Sequence, residues 1–328
     1  VDCSYCCKIS RDADVFVDDA STSEKMVEQL KKKVKKRKIG AVCRFVYDRH
    51  MPQDYLDYLA DAFDINRDEL IPGDKHLNLE DLSHLPNPNK ELLAARKPQP
   101  MYLDCLGKKQ SVFRYVGKRD LLLHYPYYSF DHFIHFLYEA VHDPSVKEIM
   151  ITQYRVAPHS EVINTLIAAA QNGKRVTVFV ELKARFDEEN NLATAELMQK
   201  AGIHIIYSIP GLKVHAKVAL VLRYHKDGRP KKSFAYISTG NFNEKTATVY
   251  ADSALVTSNQ EMVDDLHNLF RLLSKEITEP KFKHLLVPRF NLLPELKRRL
   301  GFEMNMACAG KKAHIILKMN ALQDPAMI

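Results

Sequence analysis

The sequence predicts an α/β fold in which a mixed, largely parallel sheet is flanked by helices, with a smaller α/β unit preceding it. Apolar strands and amphipathic helices alternate from about residue 105 to 280. A second set of helices and strands occupies the first 85 residues. Prolines 86, 88, 98 and 100 lie in a polar stretch between the two regions, which predicts a surface connection at the domain boundary.

The first region predicts alternating strands and helices. We expect a strand around residues 15–17, a helix over 23–36, a strand over 41–47 and a helix after Pro52. The run KKKVKKRK at residues 31–38 lies in the first of these helices. It is either a solvated helix face or an anion-binding patch, and its composition allows both interpretations.

Composition narrows the class of protein. The 328 residues carry 48 Lys and Arg against 41 Asp and Glu, a net charge of +7 that favours a polyanionic partner. No apolar run is long enough to span a bilayer, which makes the cytoplasm the expected location.

Six cysteines are too few for a disulfide framework. Cys3, Cys6 and Cys7 form a C-x-x-C-C cluster, but no second ligand pair completes a metal site.

The second region predicts the main sheet. Its expected elements, in order, are a helix over 131–141, a strand over 148–153, a helix from Ser160 to Gly173, a strand over 175–181, a helix ending near Gly202, a strand over 203–207, a hairpin, a strand over 252–257 and a helix over 261–277. Functional residues in such sheets gather at the ends of strands.

An H-x-K pair begins the hairpin. His215 and Lys217 are two apart, so in an extended chain both side chains point to the same face. A neutral imidazole can attack phosphorus, and an ammonium can neutralise phosphate oxygens. A short pattern of this kind is weak evidence alone, and a strand histidine is more often structural. The string of His225, Lys226 and Asp227 precedes a glycine and predicts a solvated hairpin turn.

Two further features strengthen the phosphate hypothesis. The turn STGNFNE at 238–244 contains a glycine that lets backbone N–H groups approach an anion, together with the amides of Asn241 and Asn243. Arg155 and Arg185 each follow a predicted strand end, where a guanidinium can bind phosphate oxygens in a bidentate manner. A surface ion pair is the equally acceptable alternative for both arginines.

Five segments together resemble the bacterial polyphosphate kinase family, which has two phospholipase-D-like catalytic domains. They are HYPYYSF at 124–130, DPSVKEIMITQYRVA at 143–157, GKRVTVFVELKARFDEE at 173–189, PGLKVHAK at 210–217 and STGNFNEKTATVYAD at 238–252. The resemblance implies a truncated head domain over 1–97, the first catalytic domain over 98–282 and the start of the second over 283–328. Both chain ends look cut, so we expect a fragment that is inactive alone.

The resemblance also implies an activity, which is reversible transfer of the terminal phosphate of ATP to inorganic polyphosphate. His215 corresponds to the phosphorylated histidine, Lys217 completes the pair, and Tyr250 corresponds to the tyrosine that contacts the nucleotide. Arg155 and Arg185 correspond to residues assigned to a Mg²⁺ site. A guanidinium cannot ligate a cation, so we expect both to act through phosphate oxygens. Homo-oligomers and peripheral membrane association are further expectations, and no nucleic-acid partner is expected.

One departure from the wider phospholipase-D pattern H-x-K-x-x-x-x-D leaves alternatives open. Leu222 occupies the aspartate position, so the carboxylate that orients the histidine has to come from elsewhere, with Glu244 and Asp252 as candidates. A phospholipase-D-type phosphodiesterase or nuclease would use the same histidine on a diester. A non-catalytic polyanion-binding module would use the basic residues and would not depend on His215.

Overall fold

The computed structural model of the chain describes residues 3–11, 42–94, 99–106, 110–154, 157, 160–181, 188–207, 214–319, 321–325 and 327–328. Several sequence predictions lie outside these residues. They are the strand at 15–17, the helix at 23–36 with its basic run, and the arginines Arg155 and Arg185.

The N-terminal unit is a three-stranded sheet with one helix. Its elements are β1 (Cys7–Arg11), β2 (Val42–Asp48), α1 (Gln53–Phe63) and β3 (Leu70–Gly73). Central β2 pairs antiparallel with β1 and parallel with β3. Phe45 of β2 and Leu56 of α1 are buried in a small shared core. The predicted strand at 41–47 and the helix after Pro52 are therefore confirmed. Two short helices follow, α2 (Lys90–Leu93) and α3 (Val112–Val116).

The second sheet has seven strands. They are β4 (Leu121–Tyr125), β5 (Val146–Gln153), β6 (Arg175–Val180), β7 (His204–Tyr207), β8 (Lys217–Tyr224), β9 (Pro230–Ser238) and β10 (Asp252–Thr257). Their order is β4-β10-β9-β8-β5-β6-β7. The mixed α/β class is confirmed, but the expectation of largely parallel pairing is wrong for this sheet. Only β5, β6 and β7 pair in parallel, and the other neighbours are antiparallel. The reason is that β8 and β9 connect through a hairpin turn, and β9 and β10 through the loop at 239–251, and both connections reverse the chain between neighbouring strands.

Helices cover both faces of this sheet. They are α4 (Asp131–His142), α5 (Glu161–Gln171), α6 (Glu188–Lys200) and α7 (Gln260–Leu273). The first three pack with α3 on one face, and α7 packs on the other. Local signals set the limits of α5 as predicted, because the Ser160 side chain accepts a hydrogen bond from the Ile163 N–H and Gly173 adopts φ 77°.

One edge of the seven-stranded sheet collects the residues of interest. Strands β5, β6 and β9 end there, at Gln153, Val180 and Ser238, while β8 and β10 begin there, at Lys217 and Asp252. We call this the site edge. The hairpin that contains His225 lies at the opposite edge, where Tyr224 pairs with Pro230.

The chain continues past the sheet into helix α8 (Leu292–Cys308). The segment between α7 and α8 packs on α7, where the buried carboxylate of Asp265 accepts hydrogen bonds from the N–H groups of Lys283, His284 and Leu285. Across the described parts of the chain, none of the helices combines the length and the apolar character needed to cross a membrane.

Candidate functional site

His215 and Lys217 lie together at the site edge, but in different environments. Lys217 is the first residue of β8 and is 5% exposed, whereas His215 is exposed and precedes the strand. The Lys217 ammonium donates a hydrogen bond to the backbone carbonyl of His215, with 2.6 Å between Nζ and O. The two residues are thus joined directly, and only the imidazole reaches the surface.

Tyr154, the residue after β5, contacts both members of the pair. Its ring centroid lies 5.0 Å from that of His215, with the planes at 84°. The Lys217 Nζ lies 5.1 Å from the same tyrosine centroid, within the range of a cation–π interaction. One aromatic ring therefore touches both the imidazole and the ammonium.

Buried polar groups hold the backbone around this pair. Glu181, which follows β6 and is 1% exposed, accepts a hydrogen bond from the Val214 N–H at 3.0 Å. Asn191 of α6 donates from Nδ2 to the carbonyls of Tyr154, at 2.9 Å, and Glu181, at 3.3 Å. The residue before His215 and the ends of β5 and β6 are thereby linked.

Thr152 fixes the start of β8. Its hydroxyl donates to the Ala216 carbonyl at 2.8 Å and accepts from the Val218 N–H at 3.0 Å. These bonds bracket Lys217 in the sequence, so they set its register against β5.

The turn between β9 and β10 approaches the site edge closely. A Cβ on Gly240 would lie 2.5 Å from Oδ2 of Asp252, so any other residue there would have to displace the Asp252 side chain. The Asp252 carboxylate accepts a hydrogen bond from the Thr239 hydroxyl at 2.7 Å. Phe242 anchors the turn in the core, because its ring stacks on Phe133 with 4.3 Å between centroids.

A buried pair of tyrosines lies beneath this turn. The hydroxyls of Tyr125 and Tyr236 are 2.6 Å apart, and the Tyr236 ring packs on Phe242. Burial raises the pKa of both phenols, so both stay protonated at neutral pH. The pair is a neutral support for the turn.

The predicted amide ligands differ in how they are used. The Asn243 side chain is buried, and its carbonyl oxygen accepts from the N–H groups of Lys245 and Thr246 at 3.0 and 3.1 Å. That oxygen therefore shapes the turn. Asn241 Oδ1 is buried and has no hydrogen-bond partner among the described residues. Tyr250 is 62% exposed, so its ring is accessible to a ligand.

The two carboxylates considered as partners for the histidine make other contacts. Glu244 accepts from the Ser160 hydroxyl at 2.8 Å and from the Val162 N–H at 3.2 Å, so it caps helix α5. Asp252 binds the Thr239 hydroxyl. Leu222 packs in the core beneath α7. That core is apolar, which explains why a carboxylate at this position would be costly.

Gln153 is the last residue of β5 and is 1% exposed. Within the described residues, neither the oxygen nor the nitrogen of its amide has a hydrogen-bond partner. A buried amide without partners costs free energy, and such groups call for a functional or structural explanation.

The described residues contain no group of three or more His, Cys, Asp or Glu side chains that could hold a metal ion. Cys3, Cys6 and Cys7 are exposed free thiols.

A cavity of about 620 Å³ opens beside the H-x-K pair. His215 and Lys217 form part of its wall, and most of the remaining wall is apolar. The apolar part comes from the end of α7 and the segment before α8, including Leu273 and Leu285, and from the ends of β8 and β9, including Val218 and Ile237. The pair thus faces a concave space of the size that binds small molecules.

Sequence reasoning missed Tyr154, Glu181, Gln153 and Asn191 as parts of the site. The signal for the first three was position, since each lies at a strand end beside a predicted arginine or at the end of an apolar strand. Asn191 carried no such signal, because its contacts depend on the packing of α6.

Comparisons with known proteins give one consistent result. Residues 111–279 match the protein-family model described as polyphosphate kinase C-terminal domain 1, and residues 1–85 match the family model of the polyphosphate kinase middle domain. The chain is 39% identical over 325 residues to "Polyphosphate kinase" of Vibrio vulnificus and 38% identical over 335 residues to that of Escherichia coli K12, covering 99% of this chain in each case. It spans about half the length of these relatives, 46% and 47%.

A solved structure, "Crystal Structure of Polyphosphate Kinase from Porphyromonas Gingivalis", is also similar. The TM-score is 0.71 at 44% identity, over 87% of this chain and 45% of that one.

Proposed function

The chain belongs to the polyphosphate kinase family, and on this premise we propose that it carries the phosphohistidine half of an ATP:polyphosphate phosphotransferase site. One observation carries the proposal. An exposed imidazole, His215, is joined to a buried ammonium, Lys217, at an edge of the sheet that faces a cavity. Exposure makes the imidazole available for attack, and burial strengthens the field of the ammonium.

The proposed reaction has two steps. A ring nitrogen of neutral His215 attacks the terminal phosphorus of ATP, an N–P bond forms, and the bond to the bridging oxygen breaks as ADP leaves with the electron pair. A terminal oxygen of polyphosphate then attacks the same phosphorus, and the N–P electron pair returns to the imidazole. Each step is reversible, since both the donor and the acceptor are phosphoanhydrides.

Charge stabilisation falls to the neighbours of the imidazole. Lys217 provides positive charge at the attacking group, and the amide nitrogens of Asn241 and Asn243 provide donors for the equatorial oxygens. Tyr250 offers an exposed ring on which a nucleobase can stack. We assign Arg155 and Arg185 to phosphate oxygens of the substrates.

Magnesium enters this proposal as part of the substrate. Mg²⁺ usually takes only one or two protein carboxylates together with phosphate oxygens and water, and guanidinium groups repel cations. We therefore propose that ATP binds as its magnesium complex, in which phosphate oxygens hold the ion. No step above depends on an ion held by the protein.

The wider setting is also part of the proposal. We propose a cytoplasmic homo-oligomer that can associate with membrane surfaces and that acts on ATP, ADP and polyphosphate rather than on nucleic acid. The domain limits 1–97, 98–282 and 283–328 remain predictions. Sedimentation of the complete gene product, with and without anionic vesicles, tests the assembly and the surface association.

Labelling with γ-³²P-ATP tests the central claim. The complete gene product that contains this chain should acquire acid-labile, base-stable phosphate, and His215→Ala should abolish it. His225→Ala is the matched control, because that histidine lies in the hairpin at the opposite edge. Label that persists on His215→Ala would refute the assignment. Phosphodiester cleavage, assayed in parallel, would instead favour the phosphodiesterase alternative.

A further inference from the structure

We propose that Tyr154 is a positioning residue for the phosphoryl transfer, because its ring fixes the His215 imidazole and holds the Lys217 ammonium beside it. This inference rests on the proposed function and deepens it. Tyr154 does not form or break a bond in the reaction. It determines where the nitrogen lone pair and the positive charge lie when the phosphoryl group arrives.

The first support is that a single ring has two contacts of different kinds. The rings of Tyr154 and His215 are nearly perpendicular, at 84°, which suits the quadrupoles of aromatic pairs. The same tyrosine lies 5.1 Å from the Lys217 Nζ, where its negative face attracts a cation. Movement of the tyrosine would therefore disturb the nucleophile and its charged neighbour together.

The second support is that Tyr154 is itself held firmly. Its carbonyl accepts a hydrogen bond from Asn191 Nδ2 at 2.9 Å, and Asn191 is 1% exposed. The same amide nitrogen binds the carbonyl of Glu181, whose carboxylate holds the N–H of Val214. The support therefore extends from α6 through two strand ends to the residue before His215.

The third support is the exposure of His215. An exposed side chain has several accessible rotamers, and in-line attack on phosphorus requires one orientation. His215 precedes β8, so strand pairing alone does not fix its ring. The contact with the Tyr154 ring, at 5.0 Å between centroids, restricts the orientation of the imidazole.

Substitution of Tyr154 in the complete gene product tests the inference. Rapid-quench measurements give the rate constant of phosphohistidine formation at saturating ATP and the half-saturating ATP concentration. We expect Tyr154→Leu to lower the rate constant by about 10- to 100-fold, because misplaced reacting groups cause losses of this size. The half-saturating ATP concentration should change much less. Tyr154→Phe, which keeps the ring, should stay within about three-fold of the unmodified protein.

The matched control is Tyr138→Leu. Tyr138 of α4 is exposed and packs against His142 with 4.2 Å between ring centroids, so it is a tyrosine–histidine pair outside the site. Its removal should leave the rate constant unchanged. Equal losses in Tyr154→Phe and Tyr154→Leu would overturn the inference, because they would assign the effect to the hydroxyl. An unchanged rate in Tyr154→Leu would also overturn it.

A fluorinated series covers the case in which Tyr154→Leu does not fold. Phenylalanines with one, two and three ring fluorines at position 154 keep the shape of the ring and progressively weaken its attraction for a cation. A stepwise fall in rate supports the contact with Lys217, and a flat series contradicts it.

The magnetic resonance signals of the His215 ring separate this inference from the proposed function. Tyr154 should displace them through its ring current, and Tyr154→Leu should remove the displacement while Tyr154→Phe keeps it. This readout does not require activity. If the signals are displaced but no phosphohistidine forms, the result contradicts the proposed function alone. If phosphohistidine forms but the signals are not displaced, the result contradicts the role of Tyr154.

Discussion

The ammonium of Lys217 is hydrogen-bonded to the carbonyl of His215, two residues earlier in the chain. The bond turns a lysine side chain back along its own backbone, so its charge lies at the backbone of His215 rather than in solvent. A single carbonyl group therefore links the positive charge to the backbone of His215, the proposed nucleophile. The site is thus compact in sequence as well as in space.

Lys217→Met should slow phosphohistidine formation by at least about 100-fold, since it removes a buried positive charge next to the reacting group. Rapid-quench labelling measures the effect. Lys232→Met is the matched control, because Lys232 also donates to a carbonyl, that of Gly117 at 2.7 Å, but lies on the exposed part of β9. Comparable losses in both variants would contradict a specific role for Lys217.

Gly240→Ala should destabilise the seven-stranded sheet by about 1–3 kcal/mol, because the new methyl group would overlap the Asp252 carboxylate. Thermal unfolding followed by circular dichroism provides the measurement. Gly301→Ala is the opposite case, since no atom lies within 4 Å of the place its new methyl group would occupy in α8, and alanine should stabilise that helix slightly. A neutral result at position 240 would show that Asp252 can move away.

Gln153→Met should raise the free energy of unfolding by about 1 kcal/mol, because it removes a buried amide without partners while keeping its shape. The phosphorylation rate is measured in the same variant, because Gln153 lies at the site edge. Gln171→Met, at the exposed end of α5, should change neither quantity. If stability fell instead, Gln153 would have a partner that the described residues do not include.

Acidity should loosen the segment before α8. Hydrogen bonds from Lys283 and then His284 lower the pKa of Glu261 from 4.5 to about 2. Because the folded pKa is depressed, the stabilising contribution is complete above pH 4.5 and disappears as the pH falls toward 2. A carbon-13 titration of the Glu261 carboxyl should show the low midpoint, and Lys283→Met should raise it. Lys281→Met, at a neighbouring exposed lysine, should leave the midpoint where it is.

Local rules predicted those parts of the fold that depend on neighbouring residues. Ser160 as an N-cap, Gly173 with positive φ and the turn after His225 all follow from side-chain chemistry within a few positions. The pairing of strands could not be predicted from such local chemistry. Strand β4 joins β10 with His124 opposite Ser253, and no local pattern encodes a partner so distant in the chain.

The candidate site likewise contains residues that the sequence identifies and contacts that it does not predict. His215, Lys217 and the turn at 238–244 carry recognisable chemistry in a short stretch. The contacts of Tyr154 with both residues, and the use of Glu244 as a helix cap, depend on how strands and helices pack. The sequence suggested Glu244 as a partner for the histidine, whereas the packed structure directs one of its carboxylate oxygens, Oε1, to the start of α5.

The position of β4 has a consequence for biosynthesis. Its only strand neighbour in the described sheet is β10, and residues 126 to 251 separate the two. On the ribosome, which adds about 5–20 residues per second, β4 must wait several seconds or more before its partner exists. During that delay the backbone of β4 lacks the strand with which it later pairs. Transient protection by a chaperone is therefore most valuable in the interval before residue 257 leaves the exit tunnel.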